Sequence, residues 1–304
     1  MSTFQEIDEL RYSNAPKALS MAKELHRRDE KKPETLALLG SCYRAVGQIE
    51  KAKKSLIRAV REAPPESMAI GDAAQRLVYV LLQEPDLEAA LDYSLEAIAL
   101  YSRLGEVDRL GQAHFELATV QAFSEQETEA EKNLTVSLRL LFENNYRYRF
   151  SAHLGLAHLF LRRGDFRQAS REAASSQSFE SRATGLARKS LEFLINLEEE
   201  RGEIERAIQL ADDLILEYTQ AGRWLEAVVA GVWAIEIRLK AGLGPQAEKA
   251  AINLRPLLIH LEDQKSAGLT LQIIRSATHG RLISLDRLEK VRAEISRSLL
   301  APTY

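Results

Sequence analysis

Seven alanines recur along this chain at a nearly constant interval, and that ladder constrains the fold more than any other feature of its 304 residues. Ala15, Ala52, Ala90, Ala130, Ala169, Ala207 and Ala247 are separated by 37, 38, 40, 39, 38 and 40 residues. A glycine lies five residues before four of them, at Gly47, Gly164, Gly202 and Gly242. The local strings read alike: Gly-Gln-Ile-Glu-Lys-Ala at 47–52, Gly-Asp-Phe-Arg-Gln-Ala at 164–169, Gly-Glu-Ile-Glu-Arg-Ala at 202–207. A unit of this length cannot bury its apolar face alone. Successive units stack, and a continuous core grows one repeat at a time. Each alanine is read as the small residue opening the second helix of its unit.

The spacing of apolar residues agrees with helices. Leu191, Leu194, Ile195 and Glu198 begin one face at helical spacing, and Ile204, Ile208, Ala211 and Ile215 form another. No alternating apolar run of strand length stands out, and hairpin turn dipeptides are absent. Hydrophobic residues make up 45% of the chain and charged residues 28%, a balance that suits a helical protein in water.

Residues 33–66 add a specific pattern. Leu36, Leu39, Gly40 and Tyr43 are followed by Gly47, Ala52, Leu56, Ala59 and Pro64. This resembles the tetratricopeptide repeat, in which small residues let two helices approach, large ones fill between them, and proline stops the second helix. Leu36 and Leu56 stand where the family has tryptophan and phenylalanine. The resemblance implies an all-α, right-handed superhelical solenoid of antiparallel helix pairs. About seven to eight pairs would fill residues 1–304 as one domain, with a capping unit at about 261–300 where Leu285 stands near the expected small anchor. The period exceeds the 34 residues usual for the family, which leans toward the long repeats of bacterial regulatory solenoids. The unit around Ala90 is degenerate, with Val78, Pro85 and Ser94 at three signature positions.

Residues that could carry chemistry are scattered. His153 and His158 are five apart, whereas ligand pairs on a helix sit three or four apart, so no metal and no cofactor is expected. No phosphate-binding loop or nucleophile signature occurs, and no catalytic role is expected. The single Cys42 excludes an internal disulfide and reads as a packed thiol. The first residues are polar and no apolar run reaches membrane-spanning length, so the expectation is a cytoplasmic protein without membrane attachment. The net charge of −3 is not the footprint of a nucleic-acid binder. Charge is segregated, however: residues 146–190 carry nine basic and three acidic side chains, and residues 192–217 carry nine acidic and two basic. These blocks could pair with each other or serve as separate surfaces. Tyr146-Arg-Tyr-Arg-Phe150 reads as a helix start with solvated arginines, or as a second binding surface.

What the resemblance implies about binding is more definite. Repeats of this family bind extended peptides on the face formed by their first helices. Counting the register from Gly40 and the later anchors turns Arg44, Gln75, Tyr79, Phe115, His158, Glu192, Asn196 and Glu236 toward that face, with Val232 beside them. Asn196 is the sharpest of these, because an amide can donate to and accept from a peptide backbone. The Lys and Asn clamp of chaperone-binding relatives is missing. The expected function is a scaffold for another protein or an extended peptide. A peptide- or ligand-responsive regulator of a transcription factor or signalling protein is the alternative. An imperfectly capped end could also pair two copies of the chain.

Overall fold

The computed structural model describes residues 4–11, 14–29, 32–84, 86–179, 186–261, 263–278 and 284–300. Among these there are sixteen α-helices, one 3₁₀ segment and no strand. Two compact units divide the described chain after Leu159. The first holds α1 (Phe4–Leu10), α2 (Ala15–Arg28), α3 (Pro33–Ala45), α4 (Ile49–Glu62), α5 (Met68–Leu81), α6 (Leu87–Leu104), α7 (Val107–Phe123), α8 (Glu127–Leu140) and most of α9 (Tyr146–Arg162). The second holds α10 (Phe166–Gln177), α11 (Leu186–Arg201), α12 (Ile204–Gln220), α13 (Trp224–Lys240), α14 (Gly244–Ile252), the 3₁₀ segment Arg255–His260, α15 (Gln264–Thr278) and α16 (Leu285–Leu300). Within each unit successive helices pack on one another, the pattern of a tandem helical repeat.

The alanine ladder has a structural cause. Ala52, Ala90, Ala130, Ala169, Ala207 and Ala247 are each the fourth residue of an even-numbered helix, and each is 0% exposed. In the first pair the ladder shifts. Ala15 opens α2 and is only half-buried, and the fourth residue, Ala18, is the fully buried one. Asn14 caps that helix by accepting a hydrogen bond from Lys17 N at 3.2 Å, and Pro16 sits in its first turn, so the helix starts three residues before its buried alanine. The first interval is therefore 52 − 18 = 34 residues.

Close approach at the anchors is visible at Gly40, where a Cβ would lie 2.6 Å from Leu56 Cγ and 3.2 Å from the Ala52 carbonyl oxygen. The degenerate third pair achieves the same fit differently. Gly71 faces the ring of Tyr101, 2.5 Å from where its Cβ would be, while Ser94 turns inward and donates to Ala90 O at 2.8 Å. Four of the turns between paired helices use a glycine with φ between +73° and +78°, at Gly47, Gly164, Gly202 and Gly242, a conformation other residues adopt at a cost, as Glu125 does in the α7–α8 turn. The next residue closes the turn: Gln48 N–H donates to Tyr43 O at 2.9 Å.

In α12 the most buried face is Ala207, Leu210, Ala211 and Leu214, with Ile204, Ile208 and Ile215 packed at its margins. The face therefore sits about a quarter of a turn from the one built on isoleucines in the sequence. Helix α13 is different in kind. Every residue from Ala230 to Arg238 is buried, so this helix is covered all round. Part of that cover comes from α16. Its Leu288, Val291 and Ile295 join the core of the second unit, and α16 packs more extensively on α13 than on α15, its neighbour in sequence. Leu288, not Leu285, is its fourth residue, and it is the first bulky side chain in the ladder. No helix among the described residues is long and apolar enough to cross a membrane.

Candidate partner-binding groove

In the first unit the expected face residues meet in small groups. The Arg44 guanidinium lies 5.5 Å from the centroid of the Tyr79 ring. Phe115 meets Tyr148 edge to face at 5.4 Å. Gln75 is 5% exposed and accepts a hydrogen bond from the Tyr101 hydroxyl at 3.1 Å. Nearby Glu116, 1% exposed, accepts one from Tyr148 at 3.0 Å. Burial pushes the Glu116 carboxyl up to about 8, against the opposing effect of the Tyr148 hydrogen bond. Arg76 bonds Asp8 at 2.8 Å and Ser41 at 2.7 Å, tying α1, α3 and α5 together. Desolvation works against Asp8, yet Arg76 and Arg11 hold its carboxyl below the usual range. Polar side chains on this side of the first unit are thus largely occupied with each other. His158 is exposed on α9. Cys42 is fully buried, and burial pushes its thiol up to about 11.

The second unit contains an open groove of about 300 Å³. Glu192 and Asn196 from α11, Tyr218 from α12, Glu226 and Trp233 from α13, and Arg292 from α16 supply its polar and aromatic lining. Its geometry is held from outside. The Tyr218 hydroxyl donates to Glu192, and the Arg188 and Arg223 guanidiniums lie 5.7 and 5.3 Å from the centroid of its ring. Trp233 Nε1–H donates to Glu199 at 2.9 Å. Asn196 is exposed and spends one amide hydrogen on Glu192 O at 3.0 Å, inside its own helix. A groove with an amide, two carboxylates, a phenol and an indole can hydrogen-bond a peptide backbone and cover an apolar side chain.

Glu192 and Asn196 are one helical turn apart and both reach the groove. Glu236 does not present itself to solvent; it is 0% exposed and engaged by Arg292. Val232 is also fully buried, and the groove positions on α13 are Glu226, Val229, Ala230 and Trp233. One residue of register rotates a side chain by about 100°, enough to exchange Trp233 for Val232. Tyr218 lies on a second helix and Arg292 on the last one, so a count along first helices passes over both. The near-continuous apolar run Ala227–Ile237 was the available signal that α13 is enclosed. The acidic block is met by cations from outside the basic one: Lys240 and Arg238 of α13 pair with Glu199 and Asp212, at 3.6 and 2.7 Å. Arg167 and Arg171 are exposed on α10, a second helix. Arg182, also in the basic block, lies outside the described residues.

No family model and no curated protein sequence matches the chain. Solved structures do. A chain of the APC/C hetero-tetramer Cut9-Hcn1 aligns with a TM-score of 0.62 at 14% identity, over 90% of this chain and 48% of that one. This chain thus spans about half that protein's length. The apo form of RapI aligns with a TM-score of 0.60 at 12% identity, over 90% and 94% of the two chains. TPR-like repeats of a Podosopora anserina kinesin light chain align with a TM-score of 0.50 at 15% identity, over 62% and 95%. These likenesses define the fold: the chain is a TPR-like helical-repeat protein. Beyond the first pair its alanine intervals run from 38 to 40 residues, longer than the 34 usual for such repeats.

Proposed function

We propose that this chain is a protein-interaction scaffold, and that the groove of the second unit holds an extended segment of its partner. The observation that carries the reading is the convergence of Glu192, Asn196, Tyr218 and Trp233, from three successive helices, on one open groove. Asn196 and Glu192 serve the segment's backbone, and the Trp233 indole covers a side chain. Solenoids suit this role because each repeat adds surface without altering the others. The Cut9-Hcn1 assembly, by its description, is a complex of this fold with other subunits. Catalysis has no place in the reading.

The test starts with a partner isolated from the native host and measured by calorimetry. Asn196→Ala weakens binding by ~1–3 kcal/mol through lost hydrogen bonds and leaves the far-ultraviolet spectrum unchanged. Arg167→Glu, on the second-helix side, leaves the affinity within a factor of about two. If Arg167→Glu abolishes binding and Asn196→Ala has no effect, the partner uses the other surface.

A further inference from the structure

Glu236 stands in the middle of α13 with no exposed surface. An ionised carboxylate there is costly unless a cation meets it in good geometry. Arg292 meets it from α16, with Nε 3.1 and 3.0 Å from the two carboxylate oxygens. The same guanidinium lies 5.6 Å from the centroid of the Trp233 ring. A carboxylate on one side and an indole face on another form a cradle matched to one guanidinium, which is planar and weakly hydrated. Trp233 is oriented by Glu199 of α11, so the indole side of the cradle is set without help from α16.

The occupant is unusual for its place in the chain. Helix α16 lies beside α13 rather than continuing the stack from α15. Leu288, Val291, Arg292 and Ile295 occupy one of its faces, at the spacing by which an amphipathic helix anchors in a groove. The ion pair Lys265–Glu294 joins it to α15 at 3.0 Å, but both side chains are well exposed, and such pairs hold little. Arg292 also lines the groove assigned above to the partner.

We propose that Glu236 and Trp233 form an arginine-recognition cradle, that the partner presents to it an arginine on an amphipathic helix, and that α16 is the chain's own displaceable occupant of that place. The inference rests on the groove reading, because the partner's extended segment lying along Glu192 and Asn196 reaches Arg292 next, and the arginine-bearing helix is the stretch of the partner that follows it. Binding then exchanges one helix for another and one arginine for another.

The probe is a fluorescein-labelled peptide with the sequence of residues 285–300, used with the full-length chain. The wild type binds it weakly, because α16 holds the cradle. Leu288→Asp, or the milder Arg292→Glu, releases α16, which hydrogen exchange reports as at least about tenfold faster exchange over α16, with α11 and α12 unchanged. The released chain binds the peptide about tenfold or more tightly than the wild type, by anisotropy. A peptide carrying Arg292→Glu does not bind, and adding Glu236→Gln to the Leu288→Asp chain abolishes the gain. Three results overturn the inference: slow exchange of α16 in both variants, equally quickened exchange in α12, or a released helix with no gain in peptide binding. Adding Asn196→Ala separates the two readings. Partner binding that is indifferent to Asn196, with peptide binding by the released chain, keeps the cradle and removes Asn196 from the groove. Partner binding that depends on Asn196, with no peptide binding by the released chain, keeps the groove and removes the cradle.

Discussion

Ala52 shows how one side chain sets a helix–helix distance. It is fully buried, its carbonyl would lie 3.2 Å from a Cβ at Gly40, and Leu56 closes the same contact. Ala52→Leu therefore overpacks the α3–α4 contact and costs ~1–3 kcal/mol, measured by urea denaturation; an unchanged midpoint would show that the contact can yield. Glu116 carries a second residue-scale consequence. Its folded-state value of about 8 lies above the ordinary 4.5, so the folded chain holds that proton more tightly than the unfolded chain. Its stabilising contribution is fully present below about pH 4.5 and is lost as pH rises through about 8. Glu116→Gln removes that loss. The melting temperature of the variant relative to the wild type should rise between about pH 5 and pH 9, and an equal difference at both would contradict the assignment.

At the scale of the element, helix starts and turns are set by few residues. Asp165 accepts from Gln168 N at 3.0 Å and caps α10. Asp165→Ala should cost about 1 kcal/mol, read as a lower denaturation midpoint with an unchanged slope. These devices were legible because they are local: glycine five residues before alanine specifies a turn and a helix start within one short string. The α2 anchor was misread for the same reason, since Asn14 and Pro16 move that start and no period reveals it. The enclosure of α13 depends on α16, 56 residues from Glu236 to Arg292, and on a helix that departs from the repeat. Repeat spacing is silent where the chain stops repeating. Groove residues on α11 were legible because Glu192 and Asn196 need only one helix's register. Tyr218, Trp233 and Arg292 were not, because they depend on how three helices meet.

For the molecule as a whole, the core is distributed along the chain, and each unit has its own. The first unit spends its polar side chains on internal ties such as Arg76 to Asp8 and Tyr148 to Glu116. The second leaves the exposed Asn196 amide at an open groove whose floor includes the Trp233 indole. That contrast is why the proposed function puts the partner on the second unit. Hydrogen exchange of the full chain with and without its partner tests this most directly. Protection should concentrate over Glu192–Glu199 and Glu226–Trp233, with no change over α10 around Arg167 and Arg171. Protection confined to α10, or to the first unit, would contradict it.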